Sequence, residues 1–342
     1  MSLDDVRSKM EQWRRDYNEV HPCRIRDVGR VGSHITLNKA NLWMPQRCAG
    51  QGEYATPRLE NYRLMLSIIV PACNEEDHIV RCLESVLSQR NVAPAELELI
   101  VVANNCSDTT VPQVRALAEA FSSRGWRLEV LDLPGGGKVN ALNCGDAVAS
   151  GSTRAYLDAD VVLENQIIVQ TLSALGRLEP TYVTGHLNIS PAHSWISRRY
   201  GDFYAQLPFM QRGSAPGAGW FAVNPAGRAR WGLFPKIIAD DTYVRWLFQP
   251  EERIEVEAGY SWPLVEGFHN LVRVRRRQDA GVRQLRALYP QLETNEGKPA
   301  LQVVDHLQLF LEDPIGYLVY TSVQILARFR DRDGSEWTRG RR

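Results

Sequence analysis

The sequence predicts an α/β protein with a Rossmann-like, mostly parallel sheet, an N-terminal extension and C-terminal helices. Three observations carry this. From position 66 onward, short apolar runs alternate with helical stretches, the pattern of right-handed βαβ units. The runs are apolar throughout rather than alternating, as strands covered on both faces are. Polar clusters follow the runs directly, and in such sheets ligands bind beyond the carboxyl ends of the strands.

Residues 66–70 are a β-branched strand stopped by Pro71, and the acidic stretch 74–77 opens a helix to about 89. Residues 97–102 form the second strand and 111–122 the next helix. The third strand covers 127–131, and a triple glycine ending in Lys138 leads into a helix over 139–149. The fourth strand ends at Asp158. Beyond it the pattern is less regular. A strand is expected over 181–188, an aromatic-rich helix over 194–210 and a flexible segment over 213–220. Asp240 and Asp241 open a helix to 248, residues 254–258 form an edge strand, and 273–286 are arginine-rich. Residues 315–329 form a mostly apolar helix before a charged tail. Ahead of all this, Ser2 caps a helix over 3–17, and residues 1–60 read as a packing arm or partner surface.

The chain has 342 residues, 44% of them hydrophobic, ample for a core. Lysine plus arginine equals aspartate plus glutamate, 40 each, so nothing in the net charge calls for nucleic acid. The six cysteines show no C-x-x-C pair and fit reduced thiols. The charged N-terminus is not a signal peptide, and no apolar run reaches the ~18 residues of a membrane span. A cytoplasmic protein is expected.

The stretch Ala155-Tyr156-Leu157-Asp158-Ala159-Asp160 carries the sharpest chemistry. Alternate residues of an extended strand point the same way, so both carboxylates project to one side. Two hard oxygen ligands suit Mg²⁺ or Mn²⁺, and the ion can in turn hold a diphosphate.

Taken together, residues 66–286 resemble the family-2 glycosyltransferases, which have the A-type nucleotide-sugar-binding fold. Residues 67–76, running through Pro71, Ala72, Asn74 and Glu75, look like the family's opening strand and nucleotide loop. Residues 101–108 are similar to its second loop, although Ala103 stands where the family has aspartate, leaving Asn104 as the uracil contact. Residues 137–143 match the Gly-Lys-x-x-Ala-Leu-Asn element, and Asp158-Ala159-Asp160 matches the metal motif. Asp240-Asp241 stands where the family carries Glu-Asp, whose second carboxylate is the catalytic base. The Gln-x-x-Arg-Trp signature of processive synthases is missing.

The resemblance implies a metal-dependent, inverting, non-processive transferase moving a sugar from a nucleoside diphosphate, UDP first, to a hydroxyl of a glycan, lipid-linked or small-molecule acceptor. Asp160 is the implied metal ligand with Asp158 beside it, and Asp241, next to Asp240, the general base. Pro71, Ala72, Asn74, Glu75 and Asn104 are implied to hold the nucleoside, and Lys138 the donor phosphate. Guanidinium forks at Arg276 and Arg277 suit the diphosphate. His269 is a further candidate metal ligand, and Gly219 with Trp220 resembles the acceptor loop. The rival readings are a retaining transferase on the same fold and a non-catalytic nucleotide-sugar-binding subunit. The expected division is an extension (1–62), a catalytic domain (63–290, its nucleotide half ending at 165) and a helical segment (291–342). The last helix leaves room for peripheral contact with the inner face of a membrane or with a second copy.

Overall fold

The computed structural model describes residues 64–329 apart from positions 95, 212, 299 and 300. The expected helix over 3–17, the extension 1–62 and the tail past 329 lie outside the described residues.

Four strands come in the expected order: β1 (Leu66–Ala72), β2 (Leu97–Asn104), β3 (Arg127–Leu133) and β4 (Thr153–Leu157). All three of their pairings are parallel, giving the order β3-β2-β1-β4. The period of two explains why these runs are apolar throughout. Ile68, Val70, Leu99 and Val101 face one core layer, with Ile79 and Leu83 of helix α1 (Ile79–Leu87). Ile69, Ile100 and Val102 face the opposite layer, with Ala141 and Leu142 of α4 (Gly137–Val148). Gly145 lets α4 lie close on the sheet, since a Cβ there would stand 2.5 Å from Ile69 Cγ2.

Beyond β4 the sheet continues through β7 (Trp220–Val223), β6 (Tyr182–Ser190), β8 (Arg253–Pro263) and β5 (Val162–Leu163). β7 runs antiparallel to both β4 and β6, β8 is parallel to β6, and β5 is antiparallel to β8. The helices are α2 (Thr110–Ala116), α3 (Ala118–Ser123), α5 (Ile167–Leu175), α6 (Trp195–Tyr204) and the single turn α7 (Pro225–Arg228). After them come α8 (Asp240–Trp246), α9 (Phe268–Leu288), α10 (Val303–Glu312) and α11 (Pro314–Phe329).

Several expectations are corrected. The helix after β1 begins at Ile79 rather than near 74, because the intervening residues bond to the neighbouring loop. The expected helix over 111–122 breaks at Leu117, and that over 194–210 ends at Tyr204. The expected edge strand over 254–258 is part of the longer β8 and pairs there only with β6, because β5 joins β8 farther along, at Tyr260 and Ser261. Its Glu255 sits 3.0 Å from His186 Nδ1 and accepts backbone N–H groups from Gly213 and Ala215. Cys73, Cys82 and Cys106 form no disulfide, whereas Cys144 is disulfide-bonded.

Candidate active site

β1 and β2 end side by side, with Ala72 opposite Ala103, so the loops that follow are adjacent. Asn74 and Asn105 take φ of 51° and 57°, left-handed turns that asparagine tolerates. Asn74 Oδ1 then accepts the Ser107 N–H at 2.7 Å, and the Glu75 N–H donates to Thr110 Oγ1 at 2.7 Å. The Glu76 carboxylate accepts from Thr109 N (3.1 Å) and Oγ1 (2.7 Å). These bonds knit the two loops into one wall of a cavity of about 440 Å³.

Pro71, Ala72, Asn74 and Glu75 line that cavity together with Asn104. Asn104 is 4% exposed, and its Oδ1 has no hydrogen-bond partner. Leaving such an acceptor unpaired costs roughly 1–3 kcal/mol, so a ligand donor there recovers stabilisation. Lys138, Asp158 and Asp160 line the same cavity.

Lys138 reaches its position through the glycines before it. Gly136 caps α4 with φ of 122°, where a Cβ would stand 2.5 Å from Asn140 Nδ2. The Lys138 ammonium lies 2.9 Å from Asp158 Oδ1 and 3.1 Å from Asp240 Oδ2. Burial alone would lower its pKa, but Asp158, Asp240 and Asp241 outweigh burial and hold it charged. Asp240 is 5% exposed, and burial pushes its carboxyl up to about 6, with Lys138 opposing the rise and Asp241 adding to it. Asp241 is half-buried and accepts the Thr242 N–H at 2.6 Å.

The arginines divide. Arg277 is exposed and lines the cavity, but Arg276 turns away and donates to the Leu326 carbonyl of α11 at 2.9 Å. Arg275 lines the cavity instead, ion-paired with Asp279 at 2.7 Å. The helical period puts successive residues on different faces, so one arginine of a run must point elsewhere. His269 is exposed in the first turn of α9 and is not among the cavity's lining residues. Trp220 is likewise no acceptor platform: it is fully buried at the start of β7, paired with Leu157. Gly219 works through its backbone, accepting the Asp158 N–H at 2.9 Å. Its missing side chain also makes room, since a Cβ there would stand 3.2 Å from Trp262 Cδ1.

Sequence reasoning missed His78, Tyr200, Tyr204 and Trp262, which line the cavity from α1, α6 and β8. No spacing rule connects these segments; only the tertiary fold brings them together.

Among the described residues no cluster of three or more histidines, cysteines, aspartates or glutamates is placed to hold a metal. Asp158 and Asp160 nevertheless fit an ion shared with a diphosphate, for which one or two carboxylates suffice.

A curled, mostly parallel sheet with its polar loops gathered over one edge defines the A-type glycosyltransferase fold. A mannosyltransferase from Pyrobaculum calidifontis, solved with GDP-mannose and Mn²⁺, shares it at a TM-score of 0.51 and 19% identity, over 78% of this chain and 76% of that one. Residues 67–224 match the model of glycosyl transferase family 2. Glycosyltransferase AglE of Haloferax volcanii is 29% identical over 140 residues, 40% of this chain and 44% of that protein. The uncharacterised glycosyltransferase YibD of Escherichia coli is 27% identical over 169 residues, 48% of this chain. The aligned segments thus span less than half of these relatives, 44% and 45% of their lengths.

Proposed function

We propose that the chain is an inverting, metal-dependent, non-processive glycosyltransferase acting on a nucleoside diphosphate sugar, with UDP the first candidate. The observation that carries this reading is the convergence of Asn104, Lys138, Asp158 and Asp160 on one cavity at the carboxyl ends of β1, β2 and β4. The loop after β1 and Asn104 receive the nucleoside, and Lys138 faces the diphosphate. Asp158 and Asp160 would hold a Mn²⁺ or Mg²⁺ ion, which would supply positive charge to the leaving group.

Asp241 takes the proton from the acceptor hydroxyl. The acceptor oxygen bonds to the anomeric carbon as the bond to the diphosphate breaks, and a single displacement inverts that carbon. Asp240 is the poorer base because its carboxylate is already committed to the half-buried Lys138 ammonium. The half-buried Asp241, at the amino end of α8, keeps the freer carboxylate. The division into an extension (1–62), a catalytic domain (63–290) and a helical segment (291–342) is part of the same reading.

No described helix is long and apolar enough to cross a membrane. Peripheral contact through the last two helices is supported by Val303, Leu307, Leu311, Ile315 and Leu318, each more than half exposed.

Calorimetric titration with UDP and GDP, with and without Mn²⁺, tests the donor site on the natural chain and on Asp160→Ala. Metal-dependent binding of one nucleotide, lost in the variant, supports the reading. Failure of both nucleotides to bind under either condition overturns it.

A further inference from the structure

The cavity's lining is of two chemical kinds. The loops after β1, β2 and β4 bring asparagines and carboxylates, the partners of a nucleotide and a metal. A second part of the wall is rich in apolar groups: Tyr204 from α6, Trp262 from the end of β8, Leu264 and Val265 just after it, and Leu271 and Val274 from α9. Of these, Leu271 is buried at 4%, whereas Leu264, Val265 and Val274 are only half-buried. Their aliphatic surface stays wet inside a concave site. That wet apolar surface carries a standing cost, which an apolar ligand group would relieve.

The wall is built rather than incidental. Gly201 lets α6 approach it, since a Cβ there would stand 2.7 Å from Leu264 Cδ1, and Gly219 does the same for Trp262. Behind it, Tyr200, Leu271 and Val272 pack on Val323 of α11, so the C-terminal helix backs the wall. A sugar alone does not account for this surface. Aromatic faces stack on sugar rings, but leucine and valine offer a sugar's hydroxyls no hydrogen bonds. One helical turn beyond Val274, Arg277 also lines the cavity and is an exposed cation.

We infer that the acceptor is an amphiphile, with an isoprenoid or acyl chain against Leu264, Val265 and Val274 and an anionic phosphate group facing Arg277. The inference rests on the transferase reading and narrows its acceptor from three classes to one. In the transfer step the attacking oxygen belongs to a hydroxyl of the amphiphile's head. Its proton goes to Asp241, and the nucleoside diphosphate leaves.

The test is titration of the full chain with farnesyl phosphate below its micelle concentration, beside glucose 1-phosphate and farnesol. Farnesyl phosphate is expected to bind at least tenfold tighter than either, because the site recognises both parts. Val274→Asn is expected to weaken farnesyl phosphate about tenfold, the loss of roughly two buried methylenes, and to leave glucose 1-phosphate unaffected. Leu264→Asn serves as a second variant should the first fail to fold in a thermal melt. Arg277→Ala is expected to bring farnesyl phosphate down to the level of farnesol. Equal binding of farnesyl phosphate and glucose 1-phosphate, or indifference to both apolar variants, overturns the inference. Nucleotide titration on the same samples keeps the two readings apart: a chain that binds farnesyl phosphate through Val274 but binds no nucleotide retains the amphiphile site and loses the transferase.

Discussion

Lys138 and Asp240 form an ion pair of 3.1 Å in which the carboxylate side chain is only 7% exposed and the lysine 25%. The lysine opens α4, the aspartate opens α8, and the same ammonium reaches Asp158 at the end of β4. One cation therefore ties the metal motif to the acidic pair across the cavity.

Replacing Lys138 with methionine keeps the stem and removes the charge, leaving Asp240 buried beside two other carboxylates. Breaking a buried pair from one side costs about 3–5 kcal/mol. The loss should be largest above pH 7 and shrink toward pH 5, where Asp240 escapes by taking up a proton. Urea unfolding of the natural chain and Lys138→Met at both pH values checks this; a loss equal at the two pH values contradicts it.

Asp240 gives a second pH signature. Its folded pKa of about 6 lies above the ordinary 3.8, so the folded chain binds a proton that the unfolded chain has released. Its contribution to stability is fully present below about pH 4 and is lost as pH rises through 6. The Asp240→Asn variant lacks this titration. Its stability relative to the natural chain should therefore climb between pH 4 and 6 and level off above. Denaturant midpoints at half-unit pH intervals give the curve, and a flat difference refutes the assignment.

With only two carboxylates in the motif and no larger cluster among the described residues, metal and nucleotide should bind as a unit. Mn²⁺ alone should bind weakly. In the presence of the preferred nucleotide its affinity should rise at least tenfold, and linkage requires the nucleotide to gain by the same factor. Calorimetry in both orders of addition measures both factors, and tight Mn²⁺ binding without nucleotide argues for ligands outside this pair.

The nucleotide half was legible because its physics is local. Buried parallel strands such as 66–70 and 97–102 have to be apolar throughout, and their loops have to carry the polar groups. The acceptor half is non-local. Glu255 of β8 is held by His186 and by the loop at Gly213, partners 69 and 42 residues away in sequence. Trp220 and Trp262 look alike in sequence, each following a small residue, Gly219 and Ser261. Only the strand pairing sends the first into the core and the second to the cavity. In the arginine run, Arg276 went to α11 because a helix turns about 100° per residue.

The two tryptophans should therefore separate in experiment. Trp220→Ala should cost about 3–5 kcal/mol of stability by opening a core cavity. Trp262→Ala, at a half-buried position, should cost less stability and act on acceptor KM. Thermal melts beside acceptor-dependent kinetics distinguish them. The reverse pattern would return Trp220 to the acceptor site.

Glu98 extends the argument from the cavity to what supports it. Its side chain is fully buried in β2, yet it receives Ser67 Oγ at 2.6 Å, Ser150 N at 2.5 Å, Ser150 Oγ at 2.6 Å and Gly151 N at 3.1 Å. Burial pushes its pKa up, but the bonds from Ser150 and Ser67 prevail and hold it below its ordinary 4.5. The knot fixes the turn between α4 and β4, and β4 carries Asp158 at its far end. Because the folded pKa is depressed, the stabilisation is present above about pH 4.5 and is lost as pH falls through the folded value. Glu98→Gln keeps the shape but removes the charge and turns one acceptor into a donor facing donors. It should cost roughly 2 kcal/mol at pH 7, the scale of a charged hydrogen bond. That cost should diminish on acidification, as the natural carboxyl takes up its proton below its ordinary 4.5. Paired urea titrations at pH 7 and pH 3.5 measure both quantities, and a cost that grows on acidification would show that the knot is not held by the carboxylate.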